Sequence, residues 1–408
     1  MTEGGRFRHP LDGLTSILHL DAEGEAVAAL GQAIRRNLLP WSSIFALAEA
    51  QFLVPALWPA LLAKGLVEPI PEAMRRFLGE RFGAAGGARS LFTALEDRHR
   101  QNAARNAAIR RQALQAIAAL NAVGIEPVAI KGVRLLLGRN DRFVEGRLLR
   151  DIDFVVPGDA GGRVAAALQS IGYIGDAAAT ARSPHGQSFH RPRDPASLDL
   201  HVEPLSLHEP TALPAWLTAR GLWERAVPQS REGPRFRLLP PGESLIHAIL
   251  HTEVADLNHA AGDWALRYLY ETAVLTREAA IDGSLLGSLG GPALRRPVEA
   301  HLLAAARLFG AVAPPGVGGS PRARIHYLRC RLNARHPRYV RRATFLAYKL
   351  RQAMAEWYLR RKGFLGDGRS GLWRARLRAL RALLGHHRKA LPRLLLGGDD
   401  DPLPPPRV

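Results

Sequence analysis

The residues Arg150-Asp151-Ile152-Asp153-Phe154-Val155-Val156 combine types that do chemistry at a spacing that places them together. The apolar and β-branched content predicts a strand over 149–156, closed by Pro157-Gly158. Side chains alternate along a strand, so Asp151 and Asp153 share one face and Ile152 and Phe154 the other. Two neighbouring carboxylates repel each other unless they face water or hold a cation. Hard divalent cations such as Mg2+ or Mn2+ take oxygen ligands of this kind and leave positions for phosphate oxygens. The same alternation in Ser197-Leu198-Asp199-Leu200-His201-Val202-Glu203 puts Leu198, Leu200 and Val202 on one face and Asp199, His201 and Glu203 on the other. If the two strands are neighbours, three carboxylates converge. Metals clamped by such a set can activate an attacking oxygen and stabilise a leaving pyrophosphate.

Other residues read more openly. Lys131-Gly132 follows a short strand over 128–130 and opens a helix over 133–137. A glycine there lets backbone approach a phosphate, a helix N-terminus favours an anion, and Lys131 adds a point charge. The plain alternative is an ordinary strand-to-helix turn. His201 is suited to binding metal, orienting an acid or contacting phosphate, or is simply a polar residue at a sheet edge. His247 and His251 are four apart on a predicted helix, but HAILH lacks the glutamate of a zinc-protease helix and offers no third ligand. Asp263, Arg267 and Glu271, spaced i, i+4 and i+8, read as solvated ion pairs.

These motifs, in this order, resemble the uncharacterised bacterial nucleotidyltransferase family of the DNA polymerase β-like superfamily. The elements are Lys131-Gly132, Arg147 followed by Asp151-Ile152-Asp153, a helix ending at Gly172-Tyr173, and Asp199-Leu200-His201. The resemblance covers about residues 115–275. It implies a minimal nucleotidyltransferase sheet, with Asp151, Asp153 and Asp199 as catalytic metal ligands for Mg2+ or Mn2+. It implies an NTP donor, held by Lys131, Gly132, Arg147 and His201. It leaves the acceptor open among small molecules, peptides and proteins. One departure is plain: the superfamily has glycine-serine before the helix, and here Val133 follows Gly132. The competing expectation is therefore a catalytically degenerate protein that acts as a binding or maturation partner.

The chain has 408 residues, 47% of them hydrophobic, one cysteine (Cys330) and a net charge of +19. This composition excludes collagen-like, wholly disordered and disulfide-framed classes. The N-terminal residues lack a signal-peptide core, and no run reaches the roughly 20 apolar residues of a membrane span, so a cytoplasmic protein is expected. The fold expected is α+β, a small mixed sheet flanked by N- and C-terminal helical regions. Its divisions are helices over 1–122, the α/β core over 123–241, helices packed on it over 242–315, a basic helical region over 316–398 and a disordered tail over 399–408.

Residues 321–408 hold 22 of the 56 Lys+Arg and only 5 of the 37 Asp+Glu. Arginines there are interleaved with Tyr327, Tyr339, Trp357, Phe364 and Trp373, and Trp373, Leu377, Leu380 and Leu384 form an apolar stripe. Three readings stand: a basic lid packed on the core, a surface for an anionic membrane or partner at the inner membrane face, or a nucleic-acid contact.

Overall fold

The computed structural model describes residues 7–67, 91–138, 141–175, 187–207, 211–229, 233–279, 281–317, 320–335 and 372–387, with isolated positions between 350 and 362. The fold is mixed α+β, built on one seven-stranded sheet. The chain begins with helices α1 (Pro10–Leu18), α2 (Gly24–Arg35), α3 (Trp41–Ala50) and α4 (Val54–Ala63), then the long α5 (Leu91–Ala122). Next come β1 (Val128–Ala129), α6 (Lys131–Gly138), α7 (Arg142–Gly146), β2 (Asp151–Val155), α8 (Gly161–Ser170), β3 (Ile174–Gly175), β4 (Gln187–His190) and β5 (Ser197–His201). Then follow α9 (Ala219–Arg225), β6 (Val227–Gln229), β7 (Phe236–Leu238) and α10 (Pro241–Leu250), which runs into a π-helical turn over His251–Ala255. The last elements are α11 (Asn258–Ala261), α12 (Leu266–Glu278), α13 (Gly283–Gly287), α14 (Pro292–Phe309), α15 (Pro321–Arg335) and α16 (Leu372–His387).

The strand order is β3-β4-β5-β2-β1-β7-β6. The central pair β2/β5 is parallel, as is β1/β7, and the other pairs are antiparallel. Alternation decides what each face meets. Ile152, Phe154, Leu198 and Leu200 enter a core with Ile109, Ala113, Ile117 and Leu120 of α5 and Val164 and Leu168 of α8. Each such side chain contributes about 1.5–3 kcal/mol on burial. The opposite, aspartate-bearing face is only partly covered, where Val128, Ile130 and Val155 meet Leu222, Ala226 and Leu239.

A second large core joins distant parts of the sequence. Leu14, Ile17, Trp41, Ile44 and Leu57 of the N-terminal helices pack with Ile246, Leu269, Val298, Leu302 and Phe309 of α10, α12 and α14. Tyr327 of α15 enters the same core. The first helix of the basic region is thus integral to the fold, whereas, among the described residues, Ala375 and Ala379 of α16 cluster with Leu359, Leu372 and Leu380. Trp373 is 64% exposed. Tyr339, Phe345, Trp357 and Phe364, and the tail over 399–408, lie outside the described residues. Among the described residues no helix is long and apolar enough to cross a membrane.

Between β1 and β2 the chain forms the short helix α7, whose N-terminus is capped by Asp141 accepting from the amides of Phe143 and Val144 at 3.1 Å. The strands β3, β6 and β7 were not legible; two or three residues are too few for a period, and β6 contains Pro228, which confines it to a sheet edge.

Candidate active site

Asp153 and Asp199 are register partners across the parallel β2/β5 pair, and Asp151 lies opposite Ser197. Because side chains at paired positions point the same way, the register brings the three carboxylates to one place. Each of Asp151, Asp153 and Asp199 offers an oxygen within 4.8 Å of the other two. The condition that the two strands be neighbours is met, and Glu203 does not join: it lies beyond the end of β5 and is exposed.

Asp153 is the buried centre. Its Oδ1 accepts from Lys131 Nζ at 2.7 Å and meets His201 Nε2 at 2.9 Å. Its Oδ2 is buried without a hydrogen-bond partner. Burial pushes this carboxyl up, but Lys131 and His201 outweigh it and hold it well below the usual carboxylate range. Asp151 goes the other way. Burial raises it, the charges of Asp153 and Asp199 raise it further, and Lys131 and Arg147 only partly offset them. Asp199 Oδ1 accepts from Ser188 Oγ at 2.6 Å, across the antiparallel β4/β5 pair.

Lys131 begins α6 with a left-handed φ of 52°, which is uncommon for a residue with a side chain. This turn is held from both sides: Asp153 takes the ammonium, and the Ile130 amide donates to the Asp153 carbonyl at 3.1 Å. Burial opposes the ammonium charge, and Asp153 outweighs it, so the Lys131 pKa is raised. At Gly132 the close approach comes from the interior. A β-carbon there would lie 2.3 Å from Arg147 Nη1 and 2.4 Å from Leu149 Cδ2, so any side chain would force Arg147 and Leu149 to shift.

Arg147 is correspondingly placed inside the protein. It is 6% exposed and its Nε donates to Glu271 Oε2 at 2.8 Å. Burial opposes both charges; Arg147 and Arg134 outweigh it at Glu271, lowering that pKa, and Glu271 does the same for Arg147, raising its own. Glu271 is therefore no solvated member of an Asp263–Arg267–Glu271 triplet: it is 3% exposed, and Asp263 precedes the helix.

The two loops that lead into β2 and β5 are fixed by α5, a helix in which the sequence showed no functional signal. Asn106 Nδ2 donates to the carbonyls of Val144 and Arg147 at 2.8 Å each, and Asn102 Nδ2 to those of Glu145 and Arg147 at 2.6 and 3.0 Å. Arg105 donates to the Leu149 carbonyl and, at 2.6 Å, to that of Pro195. Gln112 Nε2 donates to the Ala196 carbonyl at 2.8 Å and to the Tyr173 hydroxyl at 3.0 Å. One helix face thus satisfies the carbonyls immediately before both aspartate strands.

His247 is buried with Nε2 2.9 Å from the Pro204 carbonyl, and burial pushes its pKa down to about 3. His251 sits in the π-helical turn near Asp256, at 3.4 Å. Among the described residues neither joins a cluster able to hold an ion.

Three carboxylates on adjacent strands of a mixed sheet, with a lysine at a helix start beside them, define a site suited to a divalent cation and a phosphate. The comparison with known families agrees at this level. The family described as "Uncharacterised nucleotidyltransferase" matches residues 37–310, two thirds of the chain, and the chain belongs to it. No curated protein and no solved structure matches.

Proposed function

We propose that this protein moves a nucleoside monophosphate from an NTP to an acceptor hydroxyl or phosphate, with release of pyrophosphate. The observation that carries the reading is the convergence of Asp151, Asp153 and Asp199 in a member of a nucleotidyltransferase family. The donor set fits a divalent cation. Asp153 Oδ2 is buried and lacks a hydrogen-bond partner, while Oδ1 is steadied by Lys131 and His201. Mutual repulsion that raises the Asp151 pKa is the kind a cation relieves. Mg2+ or Mn2+, held by these three carboxylates, supplies charge neutralisation to a triphosphate and acidifies an attacking oxygen.

The side chains divide the remaining work. His201 orients Asp153. Ser188 donates to Asp199 Oδ1 and leaves its other oxygen to take the acceptor's proton. Lys131, at the start of α6, is placed to meet triphosphate charge, with Gly132 allowing the turn beneath it. Arg147 acts as a positioning residue: through Glu271 and its carbonyl, which accepts from Asn102 and Asn106 of α5, it fixes the loop before β2. Such a reaction belongs in the cytoplasm, where NTPs are.

A second reading, binding without catalysis, is favoured by one observation. Lys131 Nζ already neutralises Asp153, and no hydroxyl follows Gly132. In that reading the basic C-terminal region docks an anionic membrane or nucleic-acid partner. Incubation with each NTP and Mg2+ or Mn2+, with candidate acceptors, separates the two. Nucleotidyl transfer expects pyrophosphate release that Asp153→Asn abolishes. Nucleotide consumption at an equal rate in that variant overturns the assignment.

A further inference from the structure

Half of the large apolar side chains that are exposed among the described residues lie between Ile325 and Leu377, in the most basic part of the chain. Helix α15 shows how they are presented. Its inner face is tied to the core: Ala323, Tyr327, Cys330 and Asn333 are buried, and Tyr327 packs on Trp264 with ring centroids 5.2 Å apart. Asn333 Nδ2 donates to the carbonyls of Gly262 and Ala261 at 2.7 and 3.2 Å, and Arg329 donates to those of His259 and Ala260. The rotation of α15 about its own axis is therefore fixed. It leaves Ile325, Leu328 and Leu332 outermost, 66%, 58% and 50% exposed. Spaced i, i+3 and i+7, they form one stripe. The exposed Arg324 and Arg331 run along one edge of it, and the exposed Arg322 along the other.

We propose that the outer face of α15, together with that of α16, docks the protein on an anionic lipid bilayer. Helix α16 repeats the pattern of α15. Ala375 and Ala379 are buried, Trp373 and Leu377 are exposed one turn apart, and the exposed Arg374, Arg378 and Arg381 lie beside them. Neither helix contains an aspartate or glutamate, and Glu356 and Asp367 are the acids between residues 321 and 398. A surface so one-sided in charge calls for an anionic partner. Its apolar centre selects which one. Aliphatic side chains such as Ile325, Leu328 and Leu332 find no counterpart in a phosphate backbone, but they leave water at the boundary of headgroups and acyl chains. The flanking arginines then stand at the level of the lipid phosphates, their stems along the apolar layer. A second copy of the chain would bring arginines against arginines. No helix among the described residues is long and apolar enough to cross a bilayer, so the contact is interfacial.

The surface is independent of the aspartates, and both helices lie beyond the residues matched by the family. The test is sedimentation of the full-length protein with vesicles of phosphatidylcholine alone and of phosphatidylcholine mixed with phosphatidylglycerol. Retention is expected on the anionic vesicles alone. It should weaken with salt, as the Debye length shrinks from ~10 Å at 0.1 M to ~3 Å at 1 M. Ile325→Ser/Leu328→Ser/Leu332→Ser should weaken it by about tenfold or more. These side chains are exposed, so Tm should change little. Arg322→Gln/Arg331→Gln should weaken retention by about tenfold. Asp151→Asn/Asp153→Asn should bind vesicles as wild type does, which separates this result from the fate of the nucleotide assignment. No retention on anionic vesicles overturns the proposal, as does equal retention on neutral ones or by the triple serine variant. Binding of single-stranded RNA by wild type and the serine variant alike, with no retention on vesicles, overturns it in favour of a nucleic-acid surface.

Discussion

Asp153 and Asp199 stand opposite each other as register partners in the parallel β2/β5 pair, yet their surroundings differ sharply. Asp153 is held by an ammonium and an imidazole, and Asp199 by a serine hydroxyl. Asp151, beside them, has no comparable donor to offset its burial and the charges of its two neighbours. The metal-free site is therefore divided into a stabilising and a destabilising carboxylate.

That division predicts opposite effects of two similar substitutions. The Asp153 pKa is depressed in the fold, so its stabilisation is present above the unfolded value near 3.9 and is lost as pH falls through the folded value. The Asp151 pKa is raised, so its contribution is favourable below the unfolded value and is lost as pH rises through the folded one. In metal-free buffer at pH 7, Asp153→Asn should cost about 3 kcal/mol, because Lys131 loses its charged partner. Asp151→Asn should raise Tm by about 2 °C, with the gain vanishing below about pH 4. Melting curves of both variants across pH check the signs.

The Gly132 contact predicts a packing defect. Gly132→Ala drives a methyl into Arg147 and Leu149 and should destabilise by about 2 kcal/mol, within the range for an overfilled core. Denaturant unfolding measures it.

The buried Arg147–Glu271 pair predicts non-additivity. Glu271→Gln or Arg147→Met alone should cost about 3–5 kcal/mol by leaving a buried charge unpaired. The double variant Arg147→Met/Glu271→Leu should recover most of that loss. Equal costs that simply add would show that the two groups do not act as a pair.

How α5 holds the site loops leads to a further expectation. Asn106→Ala leaves the Val144 carbonyl and one bond to Arg147 unmet, at about 1–3 kcal/mol. Because those carbonyls precede β2, the variant should also weaken metal-dependent nucleotide binding, although Asn106 lies outside the carboxylate cluster. Comparing its unfolding midpoint with its nucleotide-dependent Tm shift reads both effects.

The carboxylate site was legible in sequence because strand alternation is a local rule. It placed Asp151 with Asp153 and Asp199 with His201 without knowledge of the rest. The pairing of the two strands was visible only as a condition, since parallel partners 46 positions apart leave no local mark. Glu271 escaped because its partner is 124 positions away and helical spacing alone suggested solvent. Asn102, Arg105, Asn106 and Gln112 fall on one face of α5 at helical spacing, a polar stripe that reads as solvated until a sheet covers it. The helix α7 carries a local signal, an aspartate at its N-cap, Asp141.

The most direct measurement is a set of melting curves with each of the four NTPs, with and without Mg2+ or Mn2+, on wild type and on Asp151→Asn/Asp153→Asn. A ligand that binds only the folded protein at 100 times its Kd adds about 2.7 kcal/mol. The account predicts a Tm rise that requires both metal and nucleotide and is absent from the double variant. An equal rise in the double variant, or none with any nucleotide in folded wild type, would contradict the assignment of Asp151, Asp153 and Asp199 as a metal-dependent nucleotide site.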